Sequence, residues 1–152
     1  MAIAEFNFGT LKYPWGDARL ADFQDNLDLV NGIAQRSDGF IWMLPEEDMD
    51  AAQSDPAGPL ADRPNTASTL SVWESEAQLY AFVHKTLHAR FLARGADWFV
   101  PGDAGHLVIW ECAADHRPSV AEAMAHWRNL QENGAGADVF DGAELTRRVA
   151  AV

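Results

Sequence analysis

Four apolar, strand-like segments interleaved with three segments of helical periodicity predict an α+β fold for this 152-residue chain. Their order, strand–helix–strand–loop–strand–helix–strand–helix, narrows the class. It is a split βαβ arrangement used twice, as in ferredoxin-like domains: an antiparallel four-stranded sheet with helices on one face. The length is about one domain's worth, and no internal repeat or linker divides it.

Ala4-Glu5-Phe6-Asn7-Phe8-Gly9 alternates apolar and polar residues, which places Ala4, Phe6 and Phe8 on one face of a first strand. Pro14-Trp15-Gly16 turns the chain, and Asp17 has the character of an N-cap. Leu20, Phe23, Leu27, Val30 and Ala34 then recur at three and four residues as the stripe of a first helix. After Asp38-Gly39, Phe40-Ile41-Trp42-Met43-Leu44 is a second strand. Residues 45–67 lose periodicity and carry Pro56, Pro59 and Pro64, so they are expected to be a mobile lid or disordered.

Thr69-Leu70-Ser71-Val72-Trp73 reads as a third strand, and Glu74-Ser75-Glu76 opens a second helix with Leu79, Phe82, Val83, Leu87 and Phe91 inward. His106 to Cys112 is a fourth strand, with Val108 and Trp110 opposite Leu107 and Ile109. Ser119 and Glu122 have the spacing of a capping box. Val120, Met124, Trp127 and Leu130 then form the stripe of a final helix that stops at Asn133-Gly134. Helices on one face leave the other sheet face uncovered, which predicts a homodimer pairing sheet against sheet.

The formal net charge is −12, and residues 1–62 hold 12 acids against 3 bases. Such a surface repels nucleic acid and anionic membranes. No apolar run reaches the roughly 20 residues needed to span a bilayer. Cys112 is the only cysteine, and the start of the chain has no signal-peptide pattern, so a cytoplasmic location is expected.

Three stretches carry a family resemblance. They are Leu70-Ser71-Val72-Trp73-Glu74-Ser75 leading into Leu79…Phe82-Val83; His88…Arg94…Trp98-Phe99; and Trp110 followed by His116-Arg117-Pro118-Ser119-Val120-Ala121-Glu122-Ala123. Together they resemble the DUF3291 family within the dimeric α/β-barrel (antibiotic-biosynthesis-monooxygenase-like) superfamily. Glu111 stands where the family commonly has Trp, and His84 where it commonly has Tyr. The resemblance implies a dimeric barrel with a hydrophobic cavity between sheet and helices, in a superfamily that oxidises, cyclises, isomerises or dehydrates small aromatic or polyketide-like molecules.

His84 and His88, four residues apart, fall one turn apart beside Tyr80 at the edge of the second helix's stripe. A histidine pair there would shuttle protons near neutral pH, although two solvent-side histidines would read the same. No third ligand accompanies them, so no metal is expected. Trp42, Trp73, Trp98 and Trp110 are expected to converge near sheet and helix, as core or as walls for a flat ligand. Arg94, Arg117 and His116 are further polar candidates, with surface pairing the plainer reading of the arginines.

The expected function is that of a small-molecule enzyme without organic cofactor, of monooxygenase or cyclase type. His84 or His88 would be catalytic, and Asn7, Trp42, Trp73, Tyr80, Arg94, Trp98, Trp110 and His116 would contact the substrate. Asn7, Trp73 and His84 also resemble the Asn-Trp-His set of small haem-degrading relatives, which makes haem binding the second expectation. A non-catalytic ligand-binding protein is the third.

Overall fold

The computed structural model describes residues 1–86, 88–101 and 106–152. Five strands form one antiparallel sheet in the order β2-β3-β1-β4-β5: β1 Ala2–Thr10, β2 Phe40–Met43, β3 Thr66–Trp73, β4 His106–Cys112 and β5 Val139–Phe140. The expected four strands are therefore five. The short β5 pairs Phe140 with Ile109 and Val139 with Trp110 at the outer edge of β4. β1 lies in the middle, with Phe6 opposite Leu70 on one side and Val108 on the other. Its residues Ile3 to Phe8 pair on both sides, and their side chains alternate between the two faces of the sheet.

Eight helices are present among the described residues: α1 Ala21–Asp25, α2 Leu27–Arg36, α3 Glu46–Ser54, α4 Glu76–Lys85, α5 His88–Ala93, α6 Gly95–Trp98, α7 Val120–Asn133 and α8 Gly142–Ala150. They flank both faces of the sheet, not one. Ala4, Phe6 and Phe8 share their side with Val72, Val108 and Trp110, and are covered by Val120, Ala123 and Met124 of α7 and Met49 of α3. On the opposite side Ile3, Trp73 and Ile109 pack against Ala34 of α2, Leu79 and Phe82 of α4 and Leu145 of α8. The face expected to need a second subunit is thus buried within one chain. Apolar strand residues read the same whether their cover is a partner or the chain's own helix, so a homodimer would have to use another surface.

The first helix starts as a 3-10 turn at Ala18–Leu20, capped by Asp17 through Arg19 N, and is interrupted at Asn26 between α1 and α2. Gly39 follows α2 with φ +84, and a Cβ there would stand 2.4 Å from Gln78. Only glycine fits that turn into β2. The second helix, expected to be continuous, ends at Lys85. Thr86 is extended, its hydroxyl donates to Phe82 O at 2.6 Å, and it receives the His88 N–H at 3.2 Å. A β-branched hydroxyl that bonds the backbone in this way competes with the helix ladder. Leu87, expected on the buried face, lies outside the described residues.

Residues 45–67 are not without structure. Glu46, Glu47 and Asp48 occupy the first turn of α3, where they complement the helix dipole, and its Met49 and the later Leu60 are buried. A single buried anchor per segment produces no visible periodicity. Ser75 caps α4, Ser119 caps α7 by accepting from Glu122 N, and Gly134 closes α7 at φ +74. None of the helices of the described residues is long and apolar enough to cross a membrane.

Candidate functional site

α2, α4 and α5 do not close fully on the sheet. Between them, α3 and the strands β1 and β3 lies a cavity of about 1380 Å³, larger than the roughly 300–1,000 Å³ of ordinary small-molecule pockets. Phe23, Phe82, Phe91 and Trp98 supply aromatic wall, with Trp98 stacked on Phe91 at a centroid distance of 5.8 Å. Glu5, Asn7, Thr69 and Ser71 form a polar floor, contributed by adjacent strands.

Glu5 is the residue that sequence reasoning missed. It points from the middle strand of the sheet into the cavity and is only 5% exposed. Ser71 Oγ donates to Glu5 Oε1 at 2.7 Å, Thr69 Oγ1 donates to the same oxygen at 3.5 Å, and Asn7 Nδ2 donates to Oε2 at 3.0 Å. The Ser71 hydroxyl in turn receives the Trp73 indole N–H at 2.9 Å, which orients its own proton towards Glu5. Burial pushes the carboxyl up to about 7, against the opposing pull of the hydrogen bonds from Ser71, Asn7 and Thr69. Desolvation outweighs three donors, and the group is left poised to take or give a proton at neutral pH. A signal did exist. In a split βαβ repeat the first strand is central, and Glu5 lies on its face opposite Ala4, Phe6 and Phe8.

His84 and His88 both line the cavity, but not as neighbours on one continuous helix. His84, at the end of α4, is exposed, and its ring lies 4.4 Å from that of Tyr80. His88 opens α5, half-buried against Phe82, and its Nδ1 lies 3.2 Å from Val83 O. Burial holds the His88 imidazole below its ordinary range, so it is a neutral base at physiological pH.

The other expected residues divide. Asn7 and Trp98 line the cavity. Trp73 is fully buried behind the polar floor, and Tyr80 packs beside the core, so neither belongs to the lining. Arg94 lies over the Trp98 ring at 4.6 Å but pairs on the surface with Asp22 and Asp97, both at 3.2 Å. Arg117 bonds the carbonyls of Ala114 and His116.

The four tryptophans do not converge, because successive strand positions point to opposite faces. Trp42 and Trp110 pack on the α7 side, Trp73 and Trp98 on the cavity side. Trp110 and His116 meet instead at a small cleft beside α7, where both donate to Glu122, at 3.2 and 2.8 Å, while His126 stacks on Trp110. The trio suggested for haem is not assembled either. Asn7 and His84 reach the cavity, but Trp73 does not, and the Asn7 amide is engaged by Glu5 and Thr69.

No significant match emerges from a search of the curated proteins. Among solved structures the chain is similar to the crystal structure of a protein of unknown function from Nitrosomonas europaea. The two share 16% identity over 78% of this chain and 95% of that one, with a TM-score of 0.51. That likeness speaks to the fold alone. A protein-family profile described as a domain of unknown function, DUF3291, matches residues 2–149. Spanning nearly the whole sequence, that match means that the chain belongs to the DUF3291 family.

Proposed function

We propose that this protein is a small-molecule enzyme without an organic cofactor. It holds a hydrophobic aromatic or polyketide-like substrate in the cavity and transfers a proton through Glu5. The observation that carries the reading is a carboxyl buried on the floor of a large, partly aromatic cavity, where desolvation pushes it up to about 7. A general acid–base group works best when its pKa lies near the operating pH. Ser71, Thr69 and Asn7 would fix the carboxyl in one orientation, and His88, neutral and half-buried, would be the second proton carrier, with His84 at the mouth. Proton abstraction beside a carbonyl or from a phenol is the step common to cyclisation, isomerisation and cofactor-free oxygenation, and this floor suits it.

The strand order β2-β3-β1-β4 is the order two interlocked split βαβ units produce, which supports a ferredoxin-like core with β5 added at its edge. Haem is less well supported than a neutral organic substrate, since the three residues suggested for it do not share the cavity.

Native mass spectrometry of the purified protein should identify a retained small molecule or a close analogue. With that substrate, Glu5→Gln should lower turnover by about 10² to 10⁴. Full turnover in Glu5→Gln would refute proton transfer through Glu5. Binding without turnover in the wild type would make the protein a ligand carrier.

A further inference from the structure

The charge pattern of the cavity points further. We infer that it selects uncharged or cationic molecules, with an amine or other positive group directed towards Glu5, and rejects anionic ones. The inference rests on the reading of this cavity as the ligand site.

Among the described residues lining the cavity there is no lysine and no arginine, whereas Glu5, Asp28, Glu46 and Asp50 all contribute carboxyl groups. Of the two side chains there able to become cationic, His88 is held neutral by burial and His84 is exposed. Arg94 touches the outer side of this wall through Trp98, but it is not a lining residue and is paired with Asp22 and Asp97.

A carboxylate, phosphate or sulfate entering the cavity would therefore lose its water without meeting a counter-charge, inside a chain of net charge −12. A cation meets the reverse situation. Glu5 offers a fixed acceptor on the cavity floor, and Phe23, Phe82 and Phe91 supply apolar wall for the rest of the molecule. Neutral carbonyls and hydroxyls are served by the side-chain amides of Asn31, Gln35 and Gln53.

Three probes of one shape and different charge test this: naphthylmethylamine, naphthylmethanol and naphthoate, titrated calorimetrically into the full chain. The amine should bind tightest, and naphthoate should be weaker than the amine by roughly tenfold or more. Amine affinity should fall as pH drops through the Glu5 midpoint of about 7, while affinity for the alcohol stays level. His84, His88, Asp28, Glu46 and Asp50 line the same space, so the same series in Glu5→Gln isolates the Glu5 contribution. In that variant amine and alcohol should bind alike. Ser71→Ala keeps the carboxyl but removes a hydrogen bond to it, and should move the pH dependence of amine binding upward. Naphthoate binding as tightly as the amine would overturn the charge selection while leaving the cavity a ligand site. An amine affinity unchanged in Glu5→Gln would overturn it too. If none of the three probes binds, the cavity is not such a ligand site and both readings fall.

Discussion

Glu5 carries a measurable consequence even before a substrate is known. In the unfolded chain its carboxyl has the ordinary value of 4.5, and in the folded chain burial pushes it up to about 7. Between those values the folded protein retains a proton that the unfolded one has released. Stability therefore falls as pH rises through this window and levels off above it, by on the order of 3 kcal/mol in total. His88 acts in the opposite sense. Its lowered pKa contributes stability above its ordinary value of 6.5, which is lost as pH falls. Denaturant melts of wild type and Glu5→Gln across this range separate the two. The wild type should lose stability relative to the variant as pH rises, whereas a constant difference would mean that Glu5 is not titrating in the fold. Glu5 was in plain view in the sequence, alternating with Ala4 and Phe6 and sharing its face with Ile3 and Asn7. A polar alternate reads as solvent-facing, whereas here α2, α4 and α8 pack over that face of the sheet.

At the scale of elements, the segment after Gly134 shows what periodicity overlooks. β5 is two residues long, and α8 places only Leu145 fully in the core. Their signature is polar: Asp141 caps α8 by accepting from Glu144 N, and Arg148 ties the helix down. Its guanidinium donates to Glu76 at 2.9 Å, to Glu144 at 3.1 Å and to the carbonyls of Gly136 and Ala137 at 2.8 and 3.0 Å, and it lies 3.7 Å above the Phe140 ring. This one side chain joins α8, α4 and the turn before β5. Arg148→Met should cost about 2 kcal/mol, because it leaves two partly buried carboxylates and two carbonyls short of a donor. Arg148→Lys should recover little of that, since an ammonium cannot reproduce a planar fork. Full stability of Arg148→Lys in urea melts would show that charge alone suffices. α3 teaches the complementary lesson: three acids in its first turn and one buried Met49 make a helix that a search for apolar stripes passes over.

The whole molecule is a sheet between two helical layers, carrying a formal charge of −12. Most of its acids sit on the surface with few bases to offset them, so the folded state repels itself more than the expanded chain does. Added sodium chloride should raise the melting temperature by screening that repulsion, and a salt-independent melting temperature would show that local pairs already neutralise it. The sequence by itself determined the α+β class, the alternation in β1 and β4 and the caps at Asp17 and Ser119, because each depends on residues within a few positions of one another. Tertiary structure alone decided that α3 and α7 cover the face a partner was expected to cover. It also separated Trp110 and His116 from the cavity and placed a carboxyl at its floor. These depend on which side of the sheet a helix crosses and on how much water reaches a strand, and neither is written in local spacing.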